Sequence, residues 1–173
     1  MSKNKKRRAA MTPKSANAGL PGKALMLGLA IIAGSTASAL IYFGSSSTAN
    51  AGTITVWKSN TCGCCAGWVA YMRDKGYRVT VNNVVDPVPI KIKLGIPDPL
   101  HSCHTAKVGN YIVEGHVPVA AVAKLLEQRP ELKGIALPGM PAGSPGMNGT
   151  PGIYRILGFS PDGNTYGFAA VGI

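Results

Sequence analysis

The sequence predicts an α/β domain carried behind an N-terminal membrane-targeting segment, and three observations support that class. Alternating, β-branched runs and helix-periodic apolar runs succeed one another through residues 53–128. The turn Cys62-Gly63-Cys64-Cys65 lies where the first strand-like run passes into the first helix-like run. Residues 24–43 (ALMLGLAIIAGSTASALIYF) contain no charged side chain. A strand entering a cysteine-bearing helix start, with a later hairpin and closing helix, gives the order β-α-β-α-β-β-α of a thioredoxin-like domain.

The N-terminal region comes first. Across 173 residues, 18 Lys plus Arg face 7 Asp plus Glu, a formal charge of +11. Seven of those basic residues (Lys3, Lys5, Lys6, Arg7, Arg8, Lys14 and Lys23) fall before residue 24, where there is no acid. The basicity is therefore mostly an N-terminal label, and no nucleic-acid partner is expected. Residues 24–43 as a helix, at about 1.5 Å per residue, would cross a hydrocarbon layer of roughly 30 Å. Ala49-Asn50-Ala51 has the small-x-small form of a signal-peptidase site. Two readings stay open, a cleaved export signal and an uncleaved anchor with its cationic end in the cytoplasm. Both put the N-terminus in contact with the membrane and deliver residues 52–173 to its far side, the periplasm or another extracytoplasmic space. The expected division is thus 1–51, basic N-terminus plus signal peptide or membrane anchor, and 52–173, the thioredoxin-like domain. At 46% hydrophobic the chain can bury a core, and four cysteines are too few for a disulfide-dense scaffold.

Within the exported part, residues 53–57 (TITVW) alternate and read as a strand. Ser59, Asn60 and Thr61 offer capping side chains before the cysteines. Cys65, Trp68, Val69 and Met72 fall at i, i+3, i+4 and i+7, one buried face of a helix ending near Gly76. Residues 77–81 form a second strand, and Pro87 and Pro89 open a short helix running to Leu94, with Gly95 as its stop. Residues 105–108 and 111–113 flank Gly109-Asn110, a two-residue hairpin signal. Pro118 opens a closing helix whose predicted stripe is Val119, Val122, Ala123 and Leu126, ended by Pro130. From Leu137 the run LPGMPAGSPGMNGTPG is an irregular Gly/Pro/Met loop. Two strands, 153–158 and 166–171, then form a C-terminal hairpin about Ser160-Pro161-Asp162-Gly163. Trp57, Trp68 and Met72 read as core.

All four cysteines lie in two places: Cys62, Cys64 and Cys65, and Cys103 beside His104. Thiolate is the form that binds metal or attacks disulfides, and the start of a helix favours it. By analogy with the fold, the loop before the third strand packs beside that helix start, so the two groups meet. Adjacent Cys64 and Cys65 suit a single tetrahedral Zn²⁺ poorly, since structural zinc sites separate paired cysteines by two to four residues. Soft sulfur suits Cu(I), and bridging thiolates suit several monovalent ions. His104 offers an imidazole nitrogen, and Met140 and Met147 offer thioether sulfur unless they serve only to anchor the loop. The same turn contains a C-x-x-C pair, Cys62 and Cys65, which could equally be a disulfide or a redox dithiol. His116 stands between a structural and a functional role.

Four motifs taken together carry a family resemblance. They are Thr61-Cys62-Gly63-Cys64-Cys65 with Trp68; Ser102-Cys103-His104-Thr105; Glu114-Gly115-His116-Val117-Pro118; and Pro138-Gly139-Met140-Pro141 with the following Gly143 to Met147 segment. In this order they resemble the DUF411 family of exported metal-binding proteins, which includes CopG-like periplasmic copper-resistance proteins. The resemblance covers about residues 54–170. It implies a thioredoxin-like fold with copper held as a cluster at Cys62, Cys64, Cys65, Cys103 and His104, and it marks His116, Met140 and Met147 as further recurrent positions. His101 is an additional candidate donor that the family pattern does not require, and the two prolines at 87 and 89 shorten the second helix.

The reading that follows is an exported protein that sequesters or transfers Cu(I), more than one ion per chain, in copper resistance. Its expected metal ligands are Cys62, Cys64, Cys65, Cys103, His104, His116 and Met147, with no catalytic residue assigned. Its expected partners are copper ions and the copper donor or efflux proteins that exchange them. The rival readings are a thiol–disulfide oxidoreductase using Cys62 and Cys65, and a zinc or iron–sulfur carrier.

Overall fold

The computed structural model describes residues 52–173, and the expectations for the basic N-terminus, residues 24–43 and the Ala51 cleavage site lie outside them. Among the described residues no helix is long and apolar enough to cross a membrane. They form a mixed α/β structure with one seven-stranded sheet. In chain order the elements are β1 (Thr53–Ser59), α1 (Gly63–Asp74), β2 (Arg78–Val84), α2 (Val88–Lys93), a 3₁₀ turn (Asp98–Leu100), β3 (His104–Val108), β4 (Tyr111–Gly115), α3 (Val119–Gln128), β5 (Gly134–Leu137), β6 (Ile153–Phe159) and β7 (Thr165–Gly172).

The sheet runs β2-β1-β3-β4-β5-β6-β7. The two parallel pairs, β1 with β2 and β4 with β5, are joined by α1 and α3. Parallel neighbours need such crossovers, because a tight turn reverses the chain. The other four pairings are antiparallel, and β3 and β4 are joined through Gly109-Asn110, with Gly109 at φ 57°. The main core lies between the sheet and α1 and α3. Ile54, Val56, Ala106, Val108, Val113 and Ile135 meet Trp68, Met72, Val122 and Leu125 there. A smaller core on the other face gathers Ile96, Leu100, Ile112, Ala136 and Phe159.

The topology fixes where function can sit. β3 runs antiparallel to β1 with Lys58 opposite His104, so the end of β1 lies beside the start of β3. β4 runs back along β3, so its end, Gly115, returns to the same end of the sheet. β5 is parallel to β4 and pairs Leu137 with Gly115, so the Gly/Pro/Met loop leaves from there too.

Three details differ from the sequence expectation. Gly134–Leu137 is a strand, although it is only four residues long, opens on glycine and shows no alternation because all four residues are buried. α3 buries Ala121, Val122 and Leu125, not the stripe beginning at Val119, and Ala123 is exposed. Pro118 is the N-cap and not the first helical residue, so the i, i+3, i+4, i+7 face starts at 118. Arg129, at φ 46°, ends the helix before Pro130. Trp57, expected in the core, is half-buried on the other side of β1 from Ile54 and Val56. The phase of α3 is directly testable. Ala123→Lys should change stability by no more than about 0.5 kcal/mol, while Ala121→Lys should cost more than about 3 kcal/mol, as read by denaturant unfolding. Equal costs would mean that α3 is rotated.

Candidate metal centre

Cys62 ends the turn after β1 and serves as the N-cap of α1, its sulfur accepting the Cys65 backbone N–H at 3.3 Å. Cysteine is an unusual cap. It replaces the oxygen of Ser or Asp with a sulfur aimed at the helix N-terminus, where the dipole favours negative charge. Cys62 and Cys65 are joined as a disulfide, while Cys64 and Cys103 are free thiols. The Cys64 sulfur lies 3.5 Å from that of Cys62 and 3.9 Å from that of Cys103. The two cysteine groups, 39 residues apart along the chain, therefore meet. Helix periodicity turns Cys65 inward beside Trp68, and Cys62 and Cys64 remain partly exposed at the mouth of the site.

Cys103 is the hinge of the arrangement. Its sulfur is 2.8 Å from Nε2 of His116 and 3.7 Å from Nδ1 of His104. The possible donor atoms of Cys62, Cys64, Cys65 and Cys103 all lie within 4.8 Å of one another, as do those of Cys103, His104 and His116. Cys103 thus belongs to an all-sulfur set and to a sulfur–nitrogen set. His116 Nδ1 lies 2.7 Å from the Pro145 carbonyl oxygen, which can only accept, so Nδ1 carries the proton and Nε2 presents a lone pair to Cys103. Such a carbonyl partner is what commonly orients a metal-binding histidine. His104 is fully buried, its ring 4.7 Å from Trp68 and edge-on to His116 at 4.9 Å between centroids.

The electrostatics favour neutral nitrogen donors. Burial first, then the neighbouring His116 and the charges of Lys91 and Lys58, holds His104 well below the usual imidazole range. Burial also lowers His116, partly offset by its bond to Pro145. Burial, reinforced by Cys64, pushes the Cys103 thiol up to about 12. Any cation taken up at Cys103 must therefore displace a proton. Two buried side-chain polar atoms, Ser102 Oγ and His104 Nε2, have no partner among the described residues, and they flank Cys103. Four sulfurs and two imidazoles, one of them with an unpartnered Nε2, fit a soft ion better than a hard one, because no carboxylate belongs to either donor set.

The Gly/Pro/Met loop packs against the same helix start. Gly146, at φ +82°, sits so close to α1 that a β-carbon there would collide with the Trp68 nitrogen and the Cys64 oxygen. Met147, which follows it, is half-buried, while Met140 is exposed on a left-handed backbone at φ 46°. His101 does not join the donor sets. Its Nε2 lies 3.0 Å from the Ile96 carbonyl, tying down the 3₁₀ turn. Sequence reasoning placed Trp68 in the core, and it is there, but it also braces the site. Its ring lies tilted by 47° against that of His104, and Nε1 donates to the Val117 carbonyl at 2.9 Å, next to His116. Lys58, Lys91 and Glu114 were also missed as contributors. Nothing in the local patterns of Lys58 and Lys91 distinguishes them from surface charges, whereas Glu114 opens the Glu114-Gly115-His116-Val117-Pro118 motif, and all three are buried.

Comparison with known proteins places this geometry in context. The family described as "Protein of unknown function, DUF411" matches residues 100–147, which include Cys103, His104, His116 and Met147. Two solved structures of a protein named copper resistance protein copG, its Form 1 and Form 2, are each 37% identical to this chain with a TM-score of 0.64. The alignments cover 69% of this chain and 96% and 97% of those chains. No curated protein sequence matches.

The buried imidazole gives a pH-dependent signature. A histidine whose folded pKa is depressed contributes stability above its unfolded value of roughly 6.5, lost as pH falls toward the folded value, by up to about 1.4 kcal/mol per pH unit. His104→Phe keeps an aromatic ring against Trp68 and removes the titrating group. The stability of wild type relative to this variant should therefore fall as metal-free protein is taken from pH 7 to pH 5.5. A difference that stays constant over that range would show that His104 is not held neutral by burial.

Proposed function

We propose that this chain, which belongs to the DUF411 family of CopG-like proteins, binds Cu(I) at the junction of β1, β3 and β4 and sequesters or transfers it. The observation that carries the reading is the position of Cys103, shared between a four-sulfur set and a sulfur–histidine set. One shared thiolate between two adjacent donor groups is the arrangement that lets more than one monovalent ion bind side by side, with sulfur bridging them. Cys62, Cys64, Cys65 and Cys103 would supply thiolates, and His104 and His116 neutral nitrogens. Met147 would supply a thioether from the loop that lies over the start of α1. A related copper resistance protein of the same fold supports copper as the cargo.

The strand order around β1, β3 and β4 is consistent with a thioredoxin-like domain for residues 52–173, carried to the periplasm by residues 1–51. There residues 24–43 would act as a signal peptide or as a membrane tether, and copper donors and efflux proteins would be the exchange partners. Four thiols, which would give up their protons to the metal, become available only when the Cys62–Cys65 disulfide takes up two electrons and two protons from a dithiol reductant. The reverse step is balanced if two Cu(II) ions accept the two electrons released as the disulfide forms. Copper-linked thiol chemistry would then use the same atoms. The disulfide also favours the second reading, a thiol–disulfide oxidoreductase with Cys62 and Cys65 as its pair and copper binding as incidental.

Anaerobic titration of dithiol-reduced protein separates the two. Copper binding predicts uptake of more than one Cu(I) per chain, falling in Cys64→Ser and Cys103→Ser, with little insulin-reducing activity. The oxidoreductase reading predicts activity that survives both substitutions and is abolished by Cys62→Ser.

A further inference from the structure

On the face of the sheet opposite α1 lies a group that the copper reading does not use. Glu114 is fully buried, and Lys91 is buried with it. Lys91, on α2, donates from Nζ to Glu114 Oε1 at 2.5 Å and to Thr105 Oγ1 at 2.9 Å. Glu114 Oε1 also accepts the Ser102 backbone N–H at 2.7 Å, and Oε2 accepts the Thr105 hydroxyl at 2.6 Å. Glu114 and Thr105 are opposite each other in the β3–β4 register. A buried ion pair is costly unless its remaining lone pairs and protons are satisfied, and here both carboxylate oxygens are. The satisfying groups come from the two residues that bracket Cys103-His104.

We propose that Glu114, with its charge partner Lys91, is a positioning residue that holds the Cys103-His104 dipeptide at both ends, so that the Cys103 sulfur faces Cys64 and His116 together. Four features of the chain serve this arrangement. Ser102 N is fixed immediately before Cys103, and the Thr105 side chain immediately after His104. Gly115, at φ +79°, lets β4 approach so closely that a β-carbon would strike Ser102 Oγ. His116 follows it directly, so Glu114 and His116 reach the same dipeptide from the two ends of one tripeptide. The inference rests on the copper-binding reading for its functional meaning. The clamp itself can be tested without copper.

The test uses the full-length chain. In metal-free protein with the Cys62–Cys65 disulfide intact, iodoacetamide labelling compares Cys103 with Cys64 in the same molecule. Wild type should label Cys103 more slowly. Glu114→Gln should raise the Cys103-to-Cys64 rate ratio several-fold, whereas general loosening would raise both rates together. After reduction, its Cu(I) affinity should fall by about 10–100-fold, the usual effect of removing a group that orients a ligand. Because Glu114→Gln leaves the Lys91 ammonium without a countercharge, the double variant Lys91→Met, Glu114→Gln removes both charges and should show the same two losses in a folded chain. Thr105→Val, which deletes one anchor only, should show smaller losses. Wild-type ratio and wild-type affinity in any folded variant of Glu114 would overturn the proposal. The same result in Thr105→Val, with both Glu114 variants unfolded, would assign the pair to folding alone and overturn it equally. If wild type takes up no Cu(I), the copper reading fails, while the labelling ratio still decides the clamp.

Discussion

The antiparallel register of β1 and β3, with Lys58 opposite His104, is the constraint on which the site depends. It brings the turn that follows β1 next to the segment that precedes β3, although 39 residues separate Cys64 from Cys103. The hairpin then returns β4 to the same end of the sheet and delivers His116, and the parallel β4–β5 pairing starts the Gly/Pro/Met loop there. No cysteine or histidine donor reaches the site through a long flexible side chain. Each lies at or within two residues of a strand or helix end, so sheet register, more than side-chain choice, sets the donor distances. A slip of one residue between β1 and β3 would turn His104 to the opposite face and dismantle both donor sets.

The two faces of the sheet divide the work. On one face lie sulfur, imidazole and the Trp68 ring, in surroundings that keep His104 and His116 neutral and the Cys103 thiol protonated until something displaces its proton. On the other face Lys91, Glu114 and Thr105 form a saturated polar network that grips the backbone on either side of Cys103. On one side the buried His104 Nε2 has no partner among the described residues, while on the other both Glu114 carboxylate oxygens are satisfied. With Cys62 and Cys65 joined as a disulfide, the Cys62 sulfur still caps α1 through its contact with the Cys65 N–H.

Much of this was legible in the sequence wherever the signal is local. The stripe Cys65, Trp68, Val69 and Met72 is buried as its spacing predicts, Gly109-Asn110 makes the hairpin, and the final two strands pair. The meeting of the two cysteine groups followed from the expected order of elements. What escaped depends on neighbours distant in the chain. β5 is a strand because β4 and β6 flank it, and its buried, glycine-led residues carry no alternation of their own. α3 was misphased by one residue because Pro118 occupies the cap and not the first turn. Lys91 and Glu114 resemble surface residues until Ser102 and Thr105 are placed between them. His101, a better-looking candidate in sequence than in space, was drawn away by the Ile96 carbonyl.

The central claim is that the sulfurs of both cysteine groups grip the same copper. X-ray absorption at the copper edge of anaerobically loaded, full-length protein tests it most directly. The account predicts a first shell dominated by sulfur, with copper–copper scattering from neighbouring ions and loss of that scattering in Cys103→Ser. A first shell of nitrogen and oxygen alone, or a sulfur shell indifferent to Cys103, would contradict it.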